Sequence, residues 1–332
     1  MKYARITGTG FYVPPKVITN FDLEKVYDTS DEWIVERSGI KERRYIDWET
    51  KEEGPADLAL PAVQMALKNA GYHFEDMDLC IFATLSPEAY FPGSGCFLQA
   101  LVSPESTIPM LDIRMQCSGF LYGMSIAEMY IKAGKYQKIL LVGSEVQSTT
   151  LDLRRDEGRA VGVLFGDGAG AVVIEATDEP SGILSTHLYT QGKYAQSLWV
   201  PEPTTKRRPK VNPNMEGLYP QMNGREVFKH AVTRMTESIL EACKTQNWTP
   251  EEVNVFLIHQ ANARIIEAIA KQLAQPIEKF FINIHKYGNT TAATIPICMH
   301  EALEQNFMKK GDKVIVATFG SGFTWGSAAL IW

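Results

Sequence analysis

Apolar residues along the chain keep two rhythms. Short stretches run together or alternate with a period of two, and longer ones return every three or four positions, the marks of strands and helices. The first rhythm predicts strands at Ala4–Gly8, Leu79–Thr84, Met110–Ile113, Ile139–Gly143, Gly170–Glu175, Gly182–His187, Val255–His259, Lys279–Ile282, Lys313–Thr318 and Ser327–Trp332. The second predicts helices at Pro55–Ala70, Ser118–Ala133, Gly224–Lys244, Ala261–Leu273 and Thr291–Asn306. Strand and helix signals alternate from end to end, which is the pattern of an α/β protein. The proline-rich stretch Tyr194–Pro220, with its basic run KRRPK, follows neither rhythm. It reads as a long surface loop, either a solvated excursion or a wall near a substrate entrance.

The pattern also repeats. FGDGAGAVVIE (Phe165–Glu175) and FGSGFTWGSAALIW (Phe319–Trp332) share Phe-Gly, a polar residue, a second Gly and a small-residue turn into an apolar strand. Each follows an apolar stretch read as a strand, VGVLFG in one case and KVIVATFG in the other. Upstream, MLDIR leads to Cys117 and a helix, as FFINI leads through HKYGN to another helix. The chain therefore reads as a duplicated α/β unit, residues 1–175 and 176–332. Cys117 and Asn289 then take comparable places, near a strand end and at the start of a helix.

With 332 residues, 45% of them hydrophobic and 22% charged, the chain can build a large core of about two domains. A net charge of −6 argues against a general nucleic-acid binder, which needs a basic face. The N-terminal MKYARITGTGFYVPP lacks the apolar stretch of a signal peptide, and no run approaches the roughly 20 apolar residues of a membrane span. Cytoplasm is the expected location. The five scattered cysteines show no CxxC spacing, so neither a disulfide framework nor a metal site is expected.

Three segments carry residues suited to chemistry. In QCSGFLYG, Cys117 stands at a strand-to-helix junction, where unpartnered amides and the helix dipole favour a thiolate; a buried, inert cysteine fits the same place. In LIHQANARI, His259 ends an apolar strand ahead of a helix, a common place for catalytic groups and equally for a structural histidine. In HKYGNTTAATIP, Gly288 allows a tight turn and Asn289 can cap the next helix or donate to an oxyanion.

Together, MQCSGF, LIHQANARI, YGNTTAATIP, FGDGAGA and FGSGFTWG resemble the β-ketoacyl-[acyl-carrier-protein] synthase III family of thiolase-fold enzymes. The resemblance begins with ITGTGFYVP and TSDEWIVERSGIKER and continues to the last strand. It implies a thiolase fold, with duplicated α/β halves in a layered αβαβα core. It also implies a decarboxylative condensation: Cys117 takes an acyl group from acyl-CoA, and malonyl-acyl carrier protein extends it to a 3-oxoacyl product, initiating fatty-acid-type chains. His259 and Asn289 would hold the enolate oxygen, the histidine neutral and donating through Nε2–H. The backbone N–H groups of Cys117 and Ser321 would form the oxyanion hole.

By the same resemblance, Trp33 and Arg37 sandwich the CoA adenine, Arg159 serves the nucleotide end, and Asn262 meets the pantetheine arm. Arg225 stands where the family often has asparagine, and Ser321 where it usually has glycine. The first change adds charge at the tunnel mouth. The second adds a hydroxymethyl group that narrows the pocket or requires negative φ. Lys229, Arg264 and Lys271 match the basic residues that dock the acidic carrier protein, and Phe91 matches an aromatic that enters the acyl pocket of the partner in a homodimer. No metal, flavin or nicotinamide is called for, and no nucleic-acid or membrane partner. A degradative thiolase is disfavoured because FGSGFTWG lacks the second catalytic cysteine. The alternative is a specialised relative performing head-to-head condensation or acyl transfer to a non-standard acceptor. A carrier-binding subunit without catalysis would have no need of Cys117, His259 and Asn289.

Overall fold

The computed structural model describes residues 2–204 and 217–332. The run KRRPK at 206–210 lies outside the described residues. Strand Lys138–Glu145 shows how the layers arise. Its side chains alternate between two cores, with Ile139 and Leu141 entering one and Leu140 and Val142 the other. A strand buried on both faces needs helices on both sides, as parallel pairing usually does. Strand Lys313–Gly320 does the same, with Val314 and Val316 on one side and Ile315 and Ala317 on the other.

Nine strands form one sheet in the spatial order Val255–Ile258, Lys313–Gly320, Thr324–Ile331, Gly182–Thr190, Tyr3–Tyr12, Gly168–Thr177, Lys138–Glu145, Leu79–Ala83 and Met110–Ile113. Within the sheet the two sides are joined by the pair Ala4 and Ile183. In the N-terminal half the second strand pairs in parallel with the third and fourth, and the fourth, fifth and first follow antiparallel. The C-terminal half repeats this scheme with Gly182–Thr190 as its first strand. Helix Pro55–Ala70 covers the outer face of one half, and helices Gly224–Thr245 and Ala263–Gln272 that of the other. Helices Gly119–Lys132 and Thr294–Glu304 fill the shared middle core. The result is the αβαβα arrangement of the thiolase fold.

Three expectations need correction. Lys279–Ile282 is not a ladder strand: Phe280 alone bridges Phe256, in parallel, at the place of the missing third strand. The side chain of Gln260 occupies the ladder instead, donating to Phe281 O and accepting from the N–H groups of Asn283 and Ile284. VGVLFG is not a strand either; Arg159–Gly162 forms a helical turn, and Phe165 makes a lone bridge to Asn289. Within Tyr194–Pro220, Leu198–Trp199 is a short strand paired with Gln221–Met222. Short elements lacking a full period also escape the hydrophobic pattern, among them helices Asp31–Ser38 and Ser94–Val102 and the ribbon of Lys16–Thr19 with Glu42–Tyr45. Among the described residues no helix is long and apolar enough to cross a membrane.

Candidate active site

The chain leaves strand Met110–Ile113, turns at Gln116 with φ of 48°, makes a 3-10 turn over Gln116–Ser118 and enters helix Gly119–Lys132. Cys117 sits in that turn, 5% exposed. The loop after strand Lys313–Gly320 packs against it so closely that a Cβ on Gly320 would lie 3.0 Å from the Cys117 Cβ and 3.1 Å from its nitrogen. Ser118 Oγ donates to Thr324 O at 3.2 Å, tying the two segments together. The backbone N–H groups of Cys117 and Ser321 favour the thiol's anion. Burial nevertheless pushes the Cys117 thiol up to about 12, and the nearby Glu145 adds to the rise. This corrects the expected lowering at a helix start: loss of hydration outweighs the amides. Burial thus favours the neutral thiol over its anion.

His259 follows strand Val255–Ile258 and is held by its N–H to Ala317 O at 2.9 Å. The ring is 1% exposed. Its Nδ1 lies 2.7 Å from the hydroxyl of Thr294, the first residue of helix Thr294–Glu304. Nε2 is buried without a hydrogen-bond partner. Burial alone lowers the imidazole to about 3, so it stays neutral across the physiological range, as expected.

Asn289 is fixed by its backbone, its N–H donating to Leu164 O at 2.8 Å and its carbonyl accepting from Gly166 N at 3.1 Å. Gly288 before it has φ of 64°, and a Cβ there would approach Leu164 O to 2.7 Å, so this turn requires glycine. The side-chain oxygen of Asn289 accepts the N–H of Thr291 at 2.9 Å. That contact orients the amide and leaves its NH₂ end for another acceptor. The duplication is offset here: Gln116 and Thr291 both begin 3-10 turns with φ near 48–49°, so Cys117 corresponds to Ala292 rather than to Asn289.

Cys117, His259 and Asn289 all line one cavity of about 550 Å³. Phe319, Phe228, Leu198 and Met222 give it apolar walls, while Trp33, Arg37, Arg225, Asn262 and Arg264 also line it. Trp33 has the Arg37 guanidinium 5.4 Å from its ring centre and that of Arg159 at 5.3 Å. The expected Trp33–Arg37 pair is thus a group of three, although Arg159 itself does not line the cavity and donates to Asp28 O. Asn262 caps helix Ala263–Gln272 through its oxygen and donates to Arg37 O at 2.9 Å, which leaves one amide hydrogen.

Ser321, Lys229, Lys271 and Phe91 lie outside the cavity lining. Ser321 keeps a negative φ, and its hydroxyl donates to Leu198 O. Arg264 and Lys271 are exposed on one helix, about 10 Å apart along its axis, and Lys229 is exposed beside Phe228 on the neighbouring helix. Phe91 is 80% exposed, and Tyr90 beside it is 73% exposed. The sequence reading misses Thr294, which touches His259 from 35 positions away, and Glu145, whose carboxylate takes the N–H groups of Leu85 and Ser86. Nothing local signals either one. Phe319 and Gly320 sit inside the FGSGF motif, so a closer reading of that motif would have found them.

Comparison with known proteins gives one answer. The family model described as 3-oxoacyl-[acyl-carrier-protein (ACP)] synthase III matches residues 111–192, and the model of its C-terminal part matches residues 243–332. The chain is 43% identical over 326 residues to β-ketoacyl-[acyl-carrier-protein] synthase III of Aquifex aeolicus strain VF5, covering 98% of each. The crystal structure of 3-oxoacyl-[acyl-carrier-protein] synthase III from Aquifex aeolicus VF5 superposes with a TM-score of 0.90 at 42% identity, covering 99% of this chain and 100% of that one. The corresponding synthase from Thermus thermophilus superposes with a TM-score of 0.90 at 39% identity, covering 99% of both.

Proposed function

The chain belongs to the 3-oxoacyl-[acyl-carrier-protein] synthase III family, and from that premise we propose that it condenses an acyl group from acyl-CoA with malonyl-acyl carrier protein, releasing CO₂ and 3-oxoacyl-acyl carrier protein. The observation that carries this reading is the convergence of Cys117, His259 and Asn289 on one apolar-walled cavity.

In the first half-reaction the Cys117 sulfur attacks the thioester carbonyl, and its proton leaves with the departing CoA sulfur. The N–H groups of Cys117 and Ser321, which favour the anion of the thiol, would hold the tetrahedral oxyanion. In the second, loss of CO₂ from the malonyl thioester generates an enolate. A neutral His259 and the amide of Asn289 would stabilise its oxygen, and its carbon attacks the acyl-Cys117 carbonyl, expelling the Cys117 sulfur, which takes up a proton from solvent to restore the thiol. The sequence is redox-neutral and runs on its two thioester substrates without a resident cofactor.

Trp33 with Arg37 and Arg159 would take the nucleotide of CoA, and Arg225 and Asn262 the narrower arm. Lys229, Arg264 and Lys271 would dock the acidic carrier protein. We further propose a cytoplasmic homodimer built from two duplicated halves, 1–175 and 176–332. Phe91 would enter the partner's acyl pocket, a role suited to an aromatic left 80% exposed. Intact-protein mass spectrometry tests the chemistry. Wild type should gain an acyl mass from one of a panel of acyl-CoAs, Cys117→Ser should not, and malonyl-carrier protein should remove it. An acyl mass that malonyl-carrier protein never discharges would overturn the decarboxylating reading.

A further inference from the structure

A neutral imidazole can act in the cavity in two opposite ways. With hydrogen on Nε2 it donates to a developing oxyanion; with hydrogen on Nδ1 its Nε2 lone pair accepts the Cys117 proton. Which form exists depends on what Nδ1 touches. That partner is the hydroxyl of Thr294, at 2.7 Å, and the residue is 2% exposed. A hydroxyl has one hydrogen and can donate or accept, so the question becomes where that hydrogen points.

Two acceptors lie within reach of the Thr294 hydroxyl, Nδ1 at 2.7 Å and the Thr291 carbonyl at 3.0 Å. The carbonyl already receives the backbone N–H of Thr294 at the end of the 3-10 turn Thr291–Ala293. It is satisfied without the hydroxyl. Among the described residues Nδ1 has no other partner, on a ring that is 1% exposed, and its contact is the shorter one.

We propose that Thr294 is a positioning residue that donates its hydroxyl hydrogen to Nδ1 of His259 and so holds the Nε2–H form toward the cavity, beside the amide of Asn289. Two hydrogen-bond donors then converge on one oxygen, the arrangement an enolate requires. Threonine suits this place because its β-branched side chain has few rotamers at the start of a helix. Valine keeps that shape and deletes the hydrogen bond. The inference rests on the decarboxylating reading above, but the form of the imidazole is readable without turnover, so the two can fail separately.

The test uses the full chain labelled with ¹⁵N-histidine, with His259→Gln assigning the signal among the six histidines. Wild type and Thr294→Ser should show hydrogen on Nε2 and a bare Nδ1, and Thr294→Val should lose that preference. In parallel, acyl-Cys117 formation should be little changed in Thr294→Val. Discharge by malonyl-carrier protein should slow roughly 10- to 100-fold, less than the about 10²–10³ that follows removal of a donor itself, and Thr294→Ser should restore it. If Thr294→Val does not fold, Thr294→Ala serves in its place. Hydrogen on Nδ1 in wild type would overturn the proposal and make Nε2 the base for Cys117. Unchanged discharge in the Val or Ala variant would overturn it too. Failure of wild type itself to discharge would remove the decarboxylating reading and leave the spectroscopic answer standing.

Discussion

The side-chain oxygen of Asn289 accepts the backbone N–H of Thr291 at 2.9 Å, so one end of this amide builds the turn and its NH₂ end is left for another acceptor. The two tasks are separable by substitution. Asn289→Asp keeps an acceptor for Thr291, since aspartate caps as well as asparagine, but has no NH₂ to give. Its acyl loading should persist while discharge by malonyl-carrier protein falls by about 10²–10³. Asn289→Ala should lose discharge as well and also about 1 kcal/mol of stability. Stopped-time mass spectrometry and denaturant unfolding measure the two effects, and an active Asn289→Asp would remove the amide from the mechanism.

Burial of His259 makes stability depend on pH. In the native state the ring titrates near about 3, below its ordinary 6.5. Between these values the unfolded chain binds a proton that the native chain refuses, so stability rises with pH across that window. The contribution is complete above about 6.5 and is lost as pH falls. His259→Gln removes the group, so the wild-type stability relative to this variant should decline from pH 7.5 to pH 5. Unfolding curves at the two values decide the matter. Parallel behaviour of the two proteins would mean that the ring is charged in the native state.

Much of this molecule is legible in the chain, for physical reasons. A fully buried strand such as Ile139–Val142 must be apolar on both faces, and the Phe-Gly loops at Phe165 and Phe319 repeat because the fold repeats. Cys117, His259 and Asn289 stand at turns whose glycines and small residues mark them. What stays hidden is set by contacts distant in sequence. FFINI has a strand's composition, yet Gln260 takes its ladder. Cys117 sits where amides should lower its thiol, yet burial beside Glu145 raises it. Thr294 reads as an ordinary helix start until the fold brings His259 against it.

Gly320 leaves little room for a side chain, since its added Cβ would press on the Cys117 backbone and Cβ at 3.0–3.1 Å. Neither neighbour is the movable end of a flexible chain. Gly320→Ala should displace the turn holding Cys117 or the loop carrying the Ser321 N–H, lowering acylation at least tenfold and stability by about 1–3 kcal/mol. Gly192→Ala, with nothing within 4 Å of its Cβ, is the control. Acyl-mass accumulation with time reads the effect, and a Gly320→Ala protein loading at the wild-type rate would show that the Ser321 donor is dispensable.

The two substrates approach by surfaces that substitution should separate. The Trp33 ring lies between 5.3 and 5.4 Å from two guanidinium groups, and an indole and a guanidinium are both flat groups on which a base can stack. An aromatic stack contributes roughly 0.5–1.5 kcal/mol, so Trp33→Ala should raise KM for acyl-CoA about two- to tenfold and leave KM for malonyl-carrier protein alone. Lys271 and Lys229 are exposed on neighbouring helices, where their charge acts at a distance and is screened by salt. Lys271→Glu with Lys229→Glu, both exposed outside the cavity lining, should therefore raise KM for malonyl-carrier protein, leave acyl-CoA nearly untouched, and lose most of its effect at high ionic strength. Steady-state kinetics at low and high salt, varying each substrate in turn, measures all four responses. If the charge reversals weakened acyl-CoA as much as the carrier protein, the two lysines would belong to the nucleotide site, and the carrier would have to dock elsewhere around the cavity mouth.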